Sequence, residues 1–219
     1  FFALLLVLPS FTRTLALAQV PIGSGETLSG FIPSGEQGDY TFEGEAGDTI
    51  ILQATRTSGT LCPGLRLYDP DNNLETSATN PSCSLTNLLH DYKLLSSGTY
   101  TVVVYDGWLE GGYGDYNISF LKIPGALSSP EDSDGGVLVS GATKTGRIFP
   151  AGDTDAFSFS GSAGDAIILQ VTRTSDSLCP GFLLYDPNGD LETYLPNGSC
   201  NISELLYDYR LLRSGAYTL

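Results

Sequence analysis

The 219-residue chain has no methionine, one histidine and one tryptophan, and it sets only 10 Lys and Arg against 25 Asp and Glu. Each scarcity excludes something. A formal net charge of −15 repels phosphate backbones and anionic lipid, so nucleic acid is not an expected partner. A single imidazole, His90, leaves little material for histidine-held metals or nucleophilic triads. The chain begins Phe1-Phe2-Ala3-Leu4-Leu5-Leu6-Val7-Leu8 without an initiating methionine, which reads as an N-terminally incomplete sequence. Its apolar run ends near Phe11, short of the roughly 20 residues that cross a bilayer, and Ala16-Leu17-Ala18 follows. Residues 1–18 therefore read as the remainder of a secretory signal peptide cut after Ala18. No later run is apolar enough for membrane insertion, and the mature chain is expected to be secreted, extracellular or at the cell surface.

What the chain does have is a globular, turn-rich composition, 41% hydrophobic with 26 Gly, 12 Pro and 12 Tyr. It also has four cysteines. Cys62 and Cys83 lie 21 positions apart, as do Cys179 and Cys200, and no C-x-x-C pair suggests zinc. An even set in an oxidising compartment suits disulfides. Four cysteines allow three pairings, of which the repeated spacing favours Cys62 with Cys83 and Cys179 with Cys200; free buried thiols are the other reading.

The repeated spacing belongs to an internal duplication at an offset of 117 residues. Leu61-Cys62-Pro63-Gly64 returns as Leu178-Cys179-Pro180-Gly181, and Leu67-Tyr68-Asp69-Pro70 as Leu184-Tyr185-Asp186-Pro187. Ile50-Ile51-Leu52-Gln53 returns as Ile167-Ile168-Leu169-Gln170. A period this long implies two domains with a core each, not a solenoid. The expected units are 19–123 and 139–219, joined by an acidic Ser/Pro/Gly linker over 124–138. The second copy reaches only Tyr217-Thr218-Leu219, inside the equivalent of the strand that starts at Thr99. Its sheet edge and apolar face are then expected to need strands from further chain.

Within each copy, short runs of Val, Ile, Thr, Tyr and Phe alternate with Gly, Pro, Asp and Asn clusters, which predicts an all-β fold. About eight strands in 100 residues make a two-sheet, jelly-roll-like sandwich. Leu85–Leu95 and Ile202–Leu212 have some helical look but suit a strand and turn as well.

The run Gly152-Asp153-Thr154-Asp155-Ala156-Phe157-Ser158-Phe159, followed by Ala163-Gly164-Asp165, Leu184-Tyr185-Asp186-Pro187-Asn188-Gly189 and Ser214-Gly215-Ala216-Tyr217-Thr218, resembles the bacterial pre-peptidase C-terminal domain. The resemblance covers both copies, although the paired cysteines are not part of the family pattern. It implies a non-catalytic β-sandwich module, similar in fold to the collagen-binding domains of secreted collagenases. It also implies neighbours: such modules sit behind peptidase catalytic domains or in tandem in surface proteins.

The residues themselves argue against an enzyme. His90 is replaced by Tyr207 in the second copy, and there is no G-x-S-x-G, H-E-x-x-H or G-x-x-x-x-G-K-[ST]. A glycosidase-like pair, Asp153 and Asp155, is not reproduced by Glu36 and Gly38. Gly111-Gly112-Tyr113-Gly114-Asp115 occurs once and reads as a hairpin turn rather than a calcium-binding repeat. In the related collagen-binding domains, acids of the linker and of a turn together hold calcium. The resemblance thus implies a Ca2+ site at Glu131, Asp132 and Asp134 of the linker with Asp153 and Asp155 of the turn; a solvated linker beside an ordinary turn is the other reading. Copy one, with Glu36, Asp39 and Glu26, is the poorer candidate. Trp108, Tyr105 and Tyr113 around the hairpin tip are candidate contacts for an extracellular protein or polysaccharide. Two functions follow as expectations: a binding, adhesion or spacer module pair, or an accessory unit of a secreted peptidase whose catalytic domain lies beyond residue 219.

Overall fold

The computed structural model describes residues 19–108, 111–175 and 177–219; the expected signal peptide lies outside them. No helix among the described residues is long and apolar enough to cross a membrane. The first repeat contains β1 (Val20–Pro21), β2 (Glu26–Ile32), β3 (Gln37–Gly44), β4 (Thr49–Arg56), β5 (Pro63–Tyr68), β6 (Leu74–Ala78), β7 (Thr86–Lys93), β8 (Gly98–Asp106) and β9 (Gly114–Ile123). They form two facing sheets, ordered β1-β3-β8-β5-β6 and β2-β9-β4-β7. Period-two alternation explains the core between them. Tyr40 and Phe42 of β3 point inward with Leu65 and Leu67 of β5, Tyr100, Val102 and Val104 of β8, Ile50 and Leu52 of β4, and Ile118 and Phe120 of β9. Phe42 stacks on Tyr100 at 5.4 Å and meets Phe120 at 4.4 Å between centroids. Each fully buried Leu or Ile contributes about 1.5–3 kcal/mol through removal from water.

The second repeat contains β10 (Gly136–Val137), β11 (Phe157–Gly161), β12 (Ala166–Thr172), β13 (Phe182–Tyr185), β14 (Leu191–Leu195), β15 (Ser203–Arg210) and β16 (Gly215–Thr218). Its larger sheet, β10-β11-β16-β13-β14, repeats the order of the first. The β12–β15 pair repeats β4–β7 down to the register shift, between Ile167 and Leu169 here and between Ile50 and Leu52 there. Asp91 and Asp208 share a positive φ, 57° and 51°, and so do Cys83 and Cys200, 49° and 52°. Both disulfides are formed within their own repeat, Cys62–Cys83 and Cys179–Cys200. The stretches with a helical look are the strands β7 and β15. β10 lies inside the stretch read as linker and pairs in parallel with β11, and the two repeats pack on each other.

That packing explains why Ile50-Ile51-Leu52 is apolar at consecutive positions. Ile50 and Leu52 face the first repeat's own core, while Ile51, with Leu121 and Ile123 of β9, faces the other way. Against them lie Ala156, Leu183, Tyr185 and Leu191 of the second repeat, with Leu127 from the connecting segment. Strands buried on both faces read as continuous apolar runs. Polar contacts frame the cluster. Gln53 and Asn117 donate side-chain amides to the carbonyls of Gly152 and Ala151, at 2.9 and 2.8 Å. Thr49 donates to the Gly189 carbonyl at 2.7 Å, and Lys93 pairs with Asp190 at 2.7 Å. Gly152 and Gly189 have φ of +90° and +73°, and a Cβ on either would come within 2.7 Å of Thr55 or Thr49. Only glycine lets both turns approach β4 this closely.

Candidate metal centre

Beyond β9 the chain passes Leu127, anchored in the inter-repeat cluster, and then tightens on itself. Ser129 N–H donates to the Asp132 carbonyl at 2.8 Å, and Asp132 N–H donates back to Ser129 Oγ at 3.1 Å. Asp134 N–H donates to Asp132 Oδ1, and Arg147 N–H donates to Asp134 Oδ2 at 2.7 Å. These bonds hold the acidic segment against the turn that precedes β11. Asp153 closes that turn: its N–H donates to the Pro150 carbonyl and its Oδ2 accepts from Phe149 N–H at 2.9 Å. Its Oδ1 accepts from Thr27 Oγ1 of the first repeat at 2.8 Å, so a 7% exposed carboxylate is tied to both repeats.

Asp155 completes the group. Ligand-type oxygens of Asp132, Asp153 and Asp155 lie within 4.8 Å of one another. The Oδ1 of Asp155 is buried and has no hydrogen-bond partner among the described residues. Its Oδ2 occupies the space where a Cβ on Gly146 would stand, 2.6 Å away, so glycine there makes room for the carboxylate. Among the described residues no Lys or Arg forms an ion pair with these acids. Lys144 turns its ammonium to the Gly135 carbonyl instead, at 2.8 Å. Burial, with the charges of Asp153, Asp132 and Asp134, pushes the Asp155 carboxyl up to about 7. Burial, with the charges of Asp153 and Asp134, also raises Asp132. Clustered carboxylates resist joint ionisation.

Of the five acids read from the sequence, the fold thus brings three into one set. Asp134 stands beside them, close enough to raise Asp155, and Glu131 is exposed outside the set. Carboxylate oxygens are hard donors, which suit Ca2+, Mg2+ or Mn2+ rather than soft metals. In the first repeat the same turn carries Glu36, exposed, and Gly38, while Glu26 accepts from Gly23 N–H upstream. No comparable set forms there among the described residues.

The other sequence candidates lie elsewhere. Trp108 and Tyr113 are 49% and 50% exposed. Tyr105 is half-buried, with the Arg66 guanidinium 3.8 Å above its ring. His90 is exposed on β7, its Nδ1 bonded to Asp91 Oδ2. Asp91 Oδ1 in turn accepts from the Tyr185 hydroxyl at 2.6 Å, so the aspartate beside the one histidine is engaged in repeat packing. Sequence reasoning missed Thr27, Gln53 and Asn117, which grip the turn holding the acids. Their only trace was the doubly apolar β4 sequence beside them.

Residues 37–106 match the family model described as the bacterial pre-peptidase C-terminal domain. Among solved structures, the chain is similar to the pre-peptidase C-terminal domain of a collagenase from Bacillus anthracis, with 19% identity over 47% of this chain and 94% of that one, and a TM-score of 0.39. It is also similar to PliG of Aeromonas hydrophila, a periplasmic inhibitor of g-type lysozyme, with 15% identity over 48% and 95% of the two chains and a TM-score of 0.37. No curated protein matches the chain.

Proposed function

On the premise that residues 37–106 are a bacterial pre-peptidase C-terminal domain, we propose that the chain is a secreted, non-catalytic pair of β-sandwich modules that binds or positions an extracellular protein or polysaccharide. The second repeat, built in the same strand order, is read as a second module of that kind. The family match carries this reading. The position of His90 supports it, since its partner Asp91 is already bonded to Tyr185 across the repeats. The purified chain is expected to hydrolyse neither casein, esters nor common glycosides. Activity that disappears in His90→Ala would overturn it. The family's description favours a second role, that of an accessory unit to a peptidase. Collagen pull-down with and without Trp108→Ala and Tyr113→Ala tests the exposed aromatic tip directly: loss of binding assigns the tip, and unchanged binding removes it.

Calcium belongs to the same reading. Asp132, Asp153 and Asp155 would hold the ion with Asp134 beside them, and the ion would supply the attraction that three neighbouring carboxylates lack. Binding to the folded form stabilises it by RT ln(1 + [L]/Kd), about 1–3 kcal/mol at several to a hundred times Kd. The melting temperature should rise with calcium, and proteolysis around 128–136 should slow. An effect that survives Asp153→Asn with Asp155→Asn places the ion elsewhere.

A further inference from the structure

The gathered acids are held in place largely by the first repeat. Thr27 stands on β2, and its hydroxyl donates to Asp153 Oδ1 at 2.8 Å. Asn117 of β9 and Gln53 of β4 grip the carbonyls of Ala151 and Gly152, the two residues before Asp153. The segment that brings Asp132 is fixed at the same end of β2. Ser24 Oγ donates to the Ala126 carbonyl at 2.7 Å. Gly25, at φ +82°, lets the backbone of Ser128 come so near that a Cβ would stand 2.8 Å from its nitrogen. Leu127, between them, packs into the inter-repeat cluster with Ile51 and Leu121. Two of the three acids therefore take their positions from the first repeat, Asp153 directly and Asp132 through its segment.

On the reading that Asp132, Asp153 and Asp155 hold a calcium ion, we propose that this is a junction site: the docked first repeat completes it, and the ion in turn locks the two repeats together. Thr27 is a positioning residue and not a ligand. It occupies one acceptor site of Asp153 Oδ1 while Phe149 N–H occupies one of Oδ2. The carboxylate plane is thereby fixed, and each oxygen keeps a further lone pair for a cation.

The coupling originates in charge. Docking gathers three carboxylates whose ligand oxygens lie within 4.8 Å of one another. Without a cation that closeness opposes docking, and with one it favours docking. An ion that binds the docked pair more tightly shifts the pair toward docking by the same factor. The reverse holds by the same linkage. A change that separates the repeats weakens the hold on the ion, even at residues that never approach it.

The test titrates the full chain with calcium chloride by isothermal calorimetry. Thr27→Val keeps the side-chain shape and removes the donor, and calcium affinity should fall about tenfold, the scale of one lost hydrogen bond to a charged group. Ile51→Gln with Leu121→Gln loosens the apolar cluster at residues that face away from the first repeat's own core. It should lower the affinity at least as much, and small-angle scattering should show its repeats drawing together as calcium is added. Thr41→Val, a half-buried threonine on β3 in the other sheet, should bind as the wild type does. Equal affinity in all four chains, alongside loss of binding in Asp153→Asn with Asp155→Asn, leaves the ion in place and overturns the coupling. A loss confined to Thr27→Val makes that residue a local support and overturns the coupling too. No calcium binding by the wild type, or binding that survives Asp153→Asn with Asp155→Asn, overturns the site and the coupling with it.

Discussion

Leu52 and Leu169 occupy the same place in the same motif, yet the first is fully buried and the second only partly so. The local sequences, Ile-Ile-Leu-Gln in both cases, do not differ. What differs is the neighbour, since β4 has β9 beside it and β12, among the described residues, has only β15. Burial, and with it stabilisation, is thus a property of the assembled sheet rather than of the strand that carries the residue. Truncation measures the difference most directly. Leu52→Ala should cost about 2–5 kcal/mol, the range for a closed core, and Leu169→Ala about 1–2 kcal/mol because solvent already reaches the site. Hydrogen exchange resolved by repeat would report each cost separately; equal costs would break the comparison.

The disulfides sharpen it from another side. Both close loops of the same sequence separation, 21 residues, so the unfolded-state constraint is equal at about 3 kcal/mol each. Their surroundings are not equal, since Cys62 is buried at 5% exposure while Cys179 and Cys200 are both exposed. Graded thiol reductant followed by alkylation mapping should label Cys179 and Cys200 before Cys62 and Cys83. Simultaneous labelling would mean that access does not set the order.

How much of this was legible beforehand follows from which forces are local. Alternation in Tyr40-Thr41-Phe42, the Gly and Asp turns and the repeated cysteine spacing are short-range signals, and they located the strands, the sandwich and both disulfides. The metal candidates were legible as a set because Asp153 and Asp155 share a turn, but their selection was not. Asp132 enters the set and Glu131, its neighbour, does not, because the Ser129–Asp132 bonds turn one carboxylate toward the other acids. The repeat interface was hidden for a physical reason. Its apolar half came from positions that look like ordinary strand interior, and its polar half, Gln53, Asn117 and Thr27, from residues common on solvent-facing strands.

That interface permits a smaller test. The Tyr185 hydroxyl is buried and donates to Asp91, and both burial and that carboxylate keep it protonated far above the usual tyrosine range. Tyr68, its counterpart, has no such bond among the described residues. Tyr185→Phe leaves Asp91 short of a donor inside a contact region and should cost about 1.5–2 kcal/mol, whereas Tyr68→Phe should change stability by less than about 0.5 kcal/mol. Paired denaturation curves check it. Similar effects would mean that the repeats are not held through this bond.

The smallest expected effect concerns the acidic turn, where Asp155 stands and the first repeat has Gly38. Its carboxyl titrates at about 7 in the fold against 3.8 in the free side chain. Between those values the folded chain keeps a proton that the unfolded chain releases, so without a cation the stabilisation is full below pH 4 and is lost as pH rises through 7. Asp190 acts in the opposite sense, because Lys93 lowers its carboxyl, but its contribution is lost only as pH falls below the free carboxylate range. The two windows do not overlap. Melting temperature in chelator should therefore fall by a few degrees from pH 5 to pH 8, and Asp155→Asn should flatten that slope and raise stability at pH 8 by about 1 kcal/mol. Calcium at pH 8 should restore the wild-type chain and leave Asp155→Asn nearly unmoved. A flat wild-type profile would show that the acids do not press on one another, and calcium would then have no repulsion to relieve.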